Sequence, residues 1–313
     1  MEYAQLTPGR RFAPLHSLLY YSQRIVTRPS LRRWVVRALS GALRVRQGAG
    51  KELHGNTAEE QAALANLSDS GYAPLGNLLS SAQCDEIGAY LNDKILSDRD
   101  RARDAFTAAQ PPKGVRVADY HLRDVIACPQ ILELANSAPL LGLAARYMDC
   151  KPTISALGLR WSFPVEGDDS ALQAFHRDSE DWRYLKVLVY LTDVDLDAGP
   201  HVYLHGSHLT QAPMRLRFYS DNEIFIAYGA EKLLTAVGSR GFCFAVDTAG
   251  IHKGTAPSRN PRLMLQIQYS LLPSYAYHYA PEAYQGALIL DPYVNRLIVK
   301  PDGPDRRRVR AGG

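Results

Sequence analysis

The chain has 313 residues, 46% hydrophobic and 22% charged, and its net charge is +4. A chain of this length supports one large domain or two small ones with a sizeable core, and this composition excludes global disorder. No apolar run approaches the roughly 18 residues needed to span a bilayer, and the polar start Met1–Gly9 is unlike a signal peptide.

The charge is unevenly placed. Residues 1–51 hold ten Lys and Arg against one acid, Glu2, a net of +9, while 26 bases and 31 acids leave the remainder at −5. Residues 1–51 therefore read as a basic N-terminal arm, 52–290 as the main domain and 291–313 as a C-terminal tail with a basic run at Arg306–Arg310. Cys84, Cys128, Cys150 and Cys243 form no C-x-x-C pair. They are expected to be reduced and packed as small hydrophobes, as in a cytoplasmic protein.

In the arm, Ser30–Gln47 reads as an amphipathic helix. Leu31, Trp34, Val35, Ala38, Leu39, Ala42 and Leu43 fall at helical spacing, and Ser30 can cap the start. The stripe is expected to pack on the protein's own body. The other reading lays this basic helix on an anionic membrane surface as a peripheral contact. No nucleic-acid partner is expected. A linker over Gln47–Gly50 follows.

Ala58–Leu67 has a helical pattern, and Gly71–Leu75 reads as a short strand. Ser80 with Gln83 is a capping-box signal for a helix through about Lys94. Residues 95–113 are strongly charged and read as an exposed loop or lid, with helices then expected at Pro129–Ala135 and Ala138–Asp149.

From residue 153 the texture changes. Short apolar runs at Ile154–Phe163, Leu185–Leu191, His201–Leu204, Gly241–Val246 and Arg262–Leu271 are separated by turns at Gly167–Asp169, Asp197–Pro200 and Asn260–Pro261. Many short strands with Gly/Pro turns point to a β-sandwich or jelly roll. With the helices gathered earlier, the fold class is α+β, helices buttressing a barrel. Tyr275, Tyr277 and Tyr279 alternate as one packing strand.

The chemistry-bearing pattern is Phe175-His176-Arg177-Asp178. Residues two apart on a strand share a face, so an imidazole and a carboxylate can grip one metal ion from there. Far downstream stand His252 and, ten residues later, Arg262. Two histidines and one carboxylate leave open positions on iron for a bidentate 2-oxo acid and O₂. A buried arginine suits the far carboxylate of 2-oxoglutarate, because its planar fork matches two oxygens and its charge is permanent. A strand hairpin is expected to place His252 at the metal and Arg262 deeper. His201, His205 and His208 are rival third ligands, but they sit on or beside turns and no arginine-led strand follows them. His208 is expected to fix the Gly206–Ser207 turn.

This order of motifs resembles the phytanoyl-CoA dioxygenase-like branch of Fe(II)/2-oxoglutarate oxygenases. That family carries H-x-D, a G-P turn, a G-S-H turn, then a distal His followed by Arg. Here they are His176-Arg177-Asp178, Gly199-Pro200, Gly206-Ser207-His208, His252 and Arg262. The likeness covers roughly residues 60–275. It implies a double-stranded β-helix (jelly-roll, cupin-like) core, Fe(II), 2-oxoglutarate and O₂, and decarboxylation of 2-oxoglutarate to succinate coupled to oxidation of a small-molecule substrate. Relatives with Ala or Gly in place of the aspartate halogenate, so Asp178 favours hydroxylation, desaturation or ring closure. The family usually has a hydrophobic residue after the G-P pair; His201 stands there instead, which counts against a purely lipid-like substrate.

Further candidates are Thr255, Lys186, Arg160 and Gln266 for 2-oxoglutarate, and Trp182, His201, Arg215 and Arg217 for substrate, the last two on a lid over 211–236. The competing readings are a cupin-like metalloenzyme that does not use 2-oxoglutarate and a jelly-roll binding protein without activity. The first has no need of Arg262, and the second no need of an intact triad.

Overall fold

A computed structural model describes residues 2–47, 57–100, 105–165, 174–213 and 216–301. The expected linker at 48–50, the turn at 167–169, Arg215 and the basic run 306–310 lie outside the described residues. The N-terminal half gives strand β1 (Glu2–Tyr3), helices α1 (Pro14–Ile25), α2 (Pro29–Gln47) and α3 (Ala58–Asp69), strand β2 (Tyr72–Asn77), helix α4 (Ser81–Leu91), strands β3 (Leu96–Asp98) and β4 (Val117–Tyr120), and helices α5 (Leu122–Ile126), α6 (Pro129–Ala135) and α7 (Ala138–Met148). Then come β5 (Thr153–Ser162), β6 (Tyr184–Tyr190), β7 (His201–Leu204), α8 (Asp221–Tyr228), β8 (Leu233–Ala236), β9 (Phe242–Val246), β10 (His252–Gly254), β11 (Arg262–Ser270), β12 (Tyr277–His278) and α9 (Pro292–Asn295).

An antiparallel seven-stranded sheet runs β2-β9-β6-β11-β5-β4-β3, and a three-stranded sheet runs β10-β7-β8. Together they form the jelly roll, with α2–α7 and α9 packed outside the large sheet and Ile224 of α8 packed on the small one. Alternation explains the division of labour. Leu185, Val187 and Val189 of β6 and Leu263, Leu265 and Ile267 of β11 join the helix-side core. Their neighbours Lys186, Leu188, Arg262, Met264 and Gln266 line the barrel interior instead. The sequence therefore alternates core and cavity along the same strands.

Several expectations change. Of the described part of 95–113, the start is not a free loop, because Leu96 is fully buried on edge strand β3 and Phe106 bridges to it, whereas 107–113 has no helix or strand and is exposed or half-buried. β10 and β11 are not a hairpin, because β10 pairs with β7 in the small sheet while β11 pairs with β5 and β6 in the large one. Of the three alternating tyrosines only Tyr277 lies in a strand, β12, which pairs with β1. The segment expected as a tail begins with α9, and Val294 and Ile298 sit in the core.

Helix α2 packs on the body through a face that coincides with the apolar stripe only in part: Leu43 packs against the core, and Val35 and Leu39 are half-buried. Val36 and Ser40 are buried, whereas Leu31 and Trp34 are 49% and 67% exposed. Polar contacts decide the rotation. Arg32 donates to Trp182 O at 3.0 Å, to Gln23 O at 2.7 Å and to Asp181 O. Ser40 Oγ donates to Met148 O at 2.7 Å.

Asp181 ties α1 to the body. Its carboxylate accepts from Gln23 Nε2 at 2.9 Å, Trp182 N at 2.7 Å and Leu272 N at 2.7 Å. Burial pushes this carboxyl up to about 7, although the Leu272 and Trp182 amides and the Arg32 charge pull the other way. A raised folded value means that the native state holds a proton the unfolded chain has released. The contribution is full below the unfolded value of 3.8 and is lost as pH rises through about 7. Asp181→Asn should therefore flatten the pH dependence of urea unfolding between those limits, whatever it does to absolute stability. Leu265→Ala, at a fully buried position in the middle of the large sheet, should cost about 2–5 kcal/mol in the same measurement.

Candidate metal centre

Backbone pairing brings the two distant halves of the site together. His176 and His252 form an antiparallel bridge, each amide donating to the other's carbonyl at 2.9 Å. Phe175, fully buried, exchanges hydrogen bonds with Tyr219 next door, and Asp178 N donates to Thr248 O at 2.8 Å. The imidazole ring centroids of His176 and His252 stand 4.5 Å apart. One donor atom each from His176, Asp178 and His252 lies within 4.8 Å of the others, and no other such cluster occurs among the described residues.

The middle residue of the H-x-D motif faces elsewhere. Arg177 donates to Ser207 O at 2.9 Å, Ala249 O at 2.7 Å and Thr210 Oγ1 at 2.6 Å. It thereby pins the G-S-H turn and the loop entering β10. Ser207 completes that pin: its Oγ donates to Leu204 O at 2.7 Å and accepts from Ile251 N at 2.7 Å. The turn is thus fixed by Ser207 and not, as expected, by His208.

The donor set fits a divalent metal. Nδ1 of His176 lies 3.0 Å from Ala174 O, and Nδ1 of His252 lies 3.0 Å from Gly250 O. A carbonyl only accepts, so each ring carries its proton on Nδ1 and leaves the Nε2 lone pair free. Burial lowers the His252 imidazolium to about 4, against the pull of Asp178. It is therefore neutral at physiological pH, the form a metal needs. Burial alone would raise Asp178, but Lys186, His252 and His176 outweigh it and hold the carboxyl well below the usual carboxylate range.

The cluster opens into a cavity of about 610 Å³, a size suited to a small-molecule ligand. Arg262 lies in its wall, 5% exposed. Its Nη2 is 3.3 Å from Ser162 Oγ, while Nε and Nη1 have no hydrogen-bond partner. No carboxylate lies within 4.0 Å of it among the described residues, and burying a guanidinium without a counter-charge is costly. Gly254, two residues beyond His252, lies beside this guanidinium: a Cβ there would sit 3.4 Å from Arg262 Nη2, in ordinary contact.

Lys186 Nζ donates to Asp178 Oδ2 at 2.5 Å. His201 is buried and its ring stacks on that of His252, centroids 5.4 Å apart. Its Nε2 has no partner, and burial drives its pKa well below the ordinary value. Arg160, Gln266 and Thr255 also line this cavity. Arg160 pairs with Asp119 at 2.7 Å, and Thr255 Oγ1 donates to Pro200 O at 2.7 Å. His205 is exposed and His208 lines a different cavity, so neither reaches the cluster.

Two substrate candidates stand apart from the cavity. Trp182 packs beneath Arg32 of α2, its ring 5.3 Å from the guanidinium, and lines the other cavity. Arg217 is exposed, paired with Glu223 at 2.6 Å and stacked on Tyr219. From the same insertion, sequence reading missed Phe218, whose ring lies 6.0 Å from that of His176. It also missed Ser162. The pairing of Arg262 with Ser162 across β11 and β5 is a register that neither strand announces alone.

Residues 67–263, more than half of the chain, match the family model described as "Phytanoyl-CoA dioxygenase (PhyH)". The solved structure of SnoN, described as a non-heme alpha ketoglutarate dependent epimerase from nogalamycin biosynthesis, is similar at a TM-score of 0.52 and 20% identity, over 68% of this chain and 83% of that one. EctD from S. alaskensis with bound Fe is similar at a TM-score of 0.52 and 17% identity, over 79% and 89%. EctD with 2-oxoglutarate and 5-hydroxyectoine is similar at 0.50 and 19%, over 69% and 78%. At these identities the structural likenesses establish the fold. A search of curated proteins finds no match.

The carbonyl of Gly250 orients His252, and a Cβ at Gly250 would sit 2.0 Å from Tyr203 Oη and 2.8 Å from Ser207 Oγ. Gly250→Ala should therefore displace this loop and weaken Fe(II) or Co(II) binding by about 10–100-fold. Titration of the full chain checks it, and an unchanged affinity would contradict this role.

Proposed function

Because the chain belongs to the phytanoyl-CoA dioxygenase family, an iron- and 2-oxoglutarate-dependent group, we propose that it hydroxylates, or otherwise oxidises, a small molecule at the centre formed by His176, Asp178 and His252. The observation that carries this reading is the meeting of that triad with a buried, partnerless guanidinium in one cavity. Iron bound there supplies activation of O₂ coupled to decarboxylation of 2-oxoglutarate to succinate and CO₂.

The protein's own groups do the rest. His176 and His252 offer Nε2, their rings fixed by carbonyls at Nδ1. Asp178 offers a carboxylate kept ionised chiefly by the Lys186 ammonium. Lys186 holds one of its oxygens and so sets its rotation. Arg262 receives the distal carboxylate of the co-substrate, giving its Nε and Nη1 hydrogens the acceptors they lack. A metalloenzyme that made no use of 2-oxoglutarate would leave that buried charge without purpose. His201, neutral and free at Nε2 beside His252, is a donor or acceptor for the bound ligands. Thr255, Arg160 and Gln266 shape the polar wall for co-substrate or substrate.

Anaerobic Fe(II) with 2-oxoglutarate should give a weak visible absorption band that disappears in His176→Ala. Arg262→Leu should keep iron but raise the KM for 2-oxoglutarate about 10–100-fold, the scale of a charge-assisted hydrogen bond or two. A band that persists in His176→Ala, or a KM unchanged by Arg262→Leu, would reject the assignment.

A further inference from the structure

The arginines of the N-terminal arm are not used by the iron-centred reading, and several of them meet the body at a second cavity. It has a volume of about 320 Å³ and lies between α1–α2 and the loops around Arg177 and Arg183. Six arginines line it: Arg24, Arg32, Arg33, Arg37, Arg177 and Arg183. The only carboxylates among its lining residues are Asp178 and Asp247. Both are already engaged, Asp178 by Lys186 and Asp247 by the Tyr147 hydroxyl and the Ala249 amide.

Part of the donor capacity here is unmet, although Arg32 is bonded to three backbone carbonyls. Arg177 is 5% exposed, and its Nε has no acceptor although both terminal nitrogens are bonded. Arg24 donates to Tyr20 O and Ser179 O, and its Nε is likewise buried without an acceptor. The Arg183 guanidinium lies 4.2 Å from the Tyr147 ring centroid. Among the described residues, Arg183, Arg33 and Arg37 have no carboxylate within 4.0 Å. Buried guanidinium N–H groups without acceptors are costly unless a ligand satisfies them.

We propose that this cavity binds a phosphoryl group. The guanidinium groups of Arg33 and Arg37 on α2 and of Arg183 on the neighbouring loop suit a group with three or more acceptor oxygens and two charges better than a single planar carboxylate, while Arg24, Arg32 and Arg177, whose terminal nitrogens are held by protein oxygens, add positive potential. Val26, Pro29, Val36, Leu209 and Pro213 are among the other lining residues, so the ligand has room for an apolar part beside its phosphate. Two sources share this chemistry, a soluble phosphate ester and the headgroup of an anionic phospholipid. The second is compatible with the outward apolar side chains of the arm: Leu18, Ile25 and Trp34 are each at least 67% exposed. The site goes beyond the oxygenase reading, and its test reads binding and not turnover, so the two stand or fall separately.

Inorganic pyrophosphate, titrated calorimetrically into the full chain, tests the soluble source. Co-sedimentation with phosphatidylglycerol-containing vesicles, against pure phosphatidylcholine, tests the headgroup. Saturable binding of either probe is expected. Arg183→Gln should weaken it about ten-fold. The pair Arg33→Gln/Arg37→Gln, at exposed positions, should weaken it several-fold. Pyrophosphate binding identifies a soluble ligand; vesicle binding without it identifies a headgroup. Binding of neither probe, or binding unaltered in both variants, overturns the proposal.

Discussion

The structure depends on one backbone contact, the two-way hydrogen bond between residues 176 and 252. Residue 176 precedes β6 of the large sheet, while residue 252 opens β10 of the small one. Pairing them adds the 175–176 segment to the edge of the small sheet and brings two imidazoles from distant parts of the chain within reach of one ion. Everything that surrounds the bridge keeps it in place: Arg177 and Ser207 knit the turn after β7 to the loop before β10. The catalytic geometry is thus a consequence of how the barrel closes, and little of it rests on side-chain freedom.

The second constraint is electrostatic. The cavity wall holds two buried cations, Arg262 and Lys186, and two histidines that burial keeps neutral, His201 and His252. Only Lys186 has a carboxylate partner, Asp178. A site of this kind has spare positive charge, which under the proposed function a diacid co-substrate would relieve. The two cations differ in their surroundings: Lys186 is bonded to Asp178, while Nε and Nη1 of Arg262 have no partner.

The site was more legible in the sequence than the architecture around it. His176, Asp178, His252 and Arg262 were visible as an ordered set, and alternating runs marked the strands that carry them. The Ser80–Gln83 capping box was likewise readable, and both of its hydrogen bonds form. What escaped was decided by contacts distant in sequence. No local signal places β10 and β11 in different sheets. The apolar stripe of α2 suggested one buried face; Leu43 of it does pack on the core, but Arg32 and Ser40 found carbonyl partners that rotate the helix and leave Leu31 and Trp34 exposed. Trp182 resembled a substrate wall and proved to lie beneath that same arginine. In each case a few polar groups with long-range partners overrode a local apolar pattern.

The central claim is that three remote side chains hold one metal with a guanidinium set behind it for the co-substrate. A crystal structure of the full chain grown anaerobically with Mn(II) and 2-oxoglutarate tests it most directly. The metal should sit on Nε2 of His176, the Asp178 carboxylate and Nε2 of His252, with the far carboxylate of 2-oxoglutarate on Arg262. A metal bound elsewhere, or a co-substrate whose distal end lies on Arg160 or Lys186 while Arg262 stays unengaged, would contradict it.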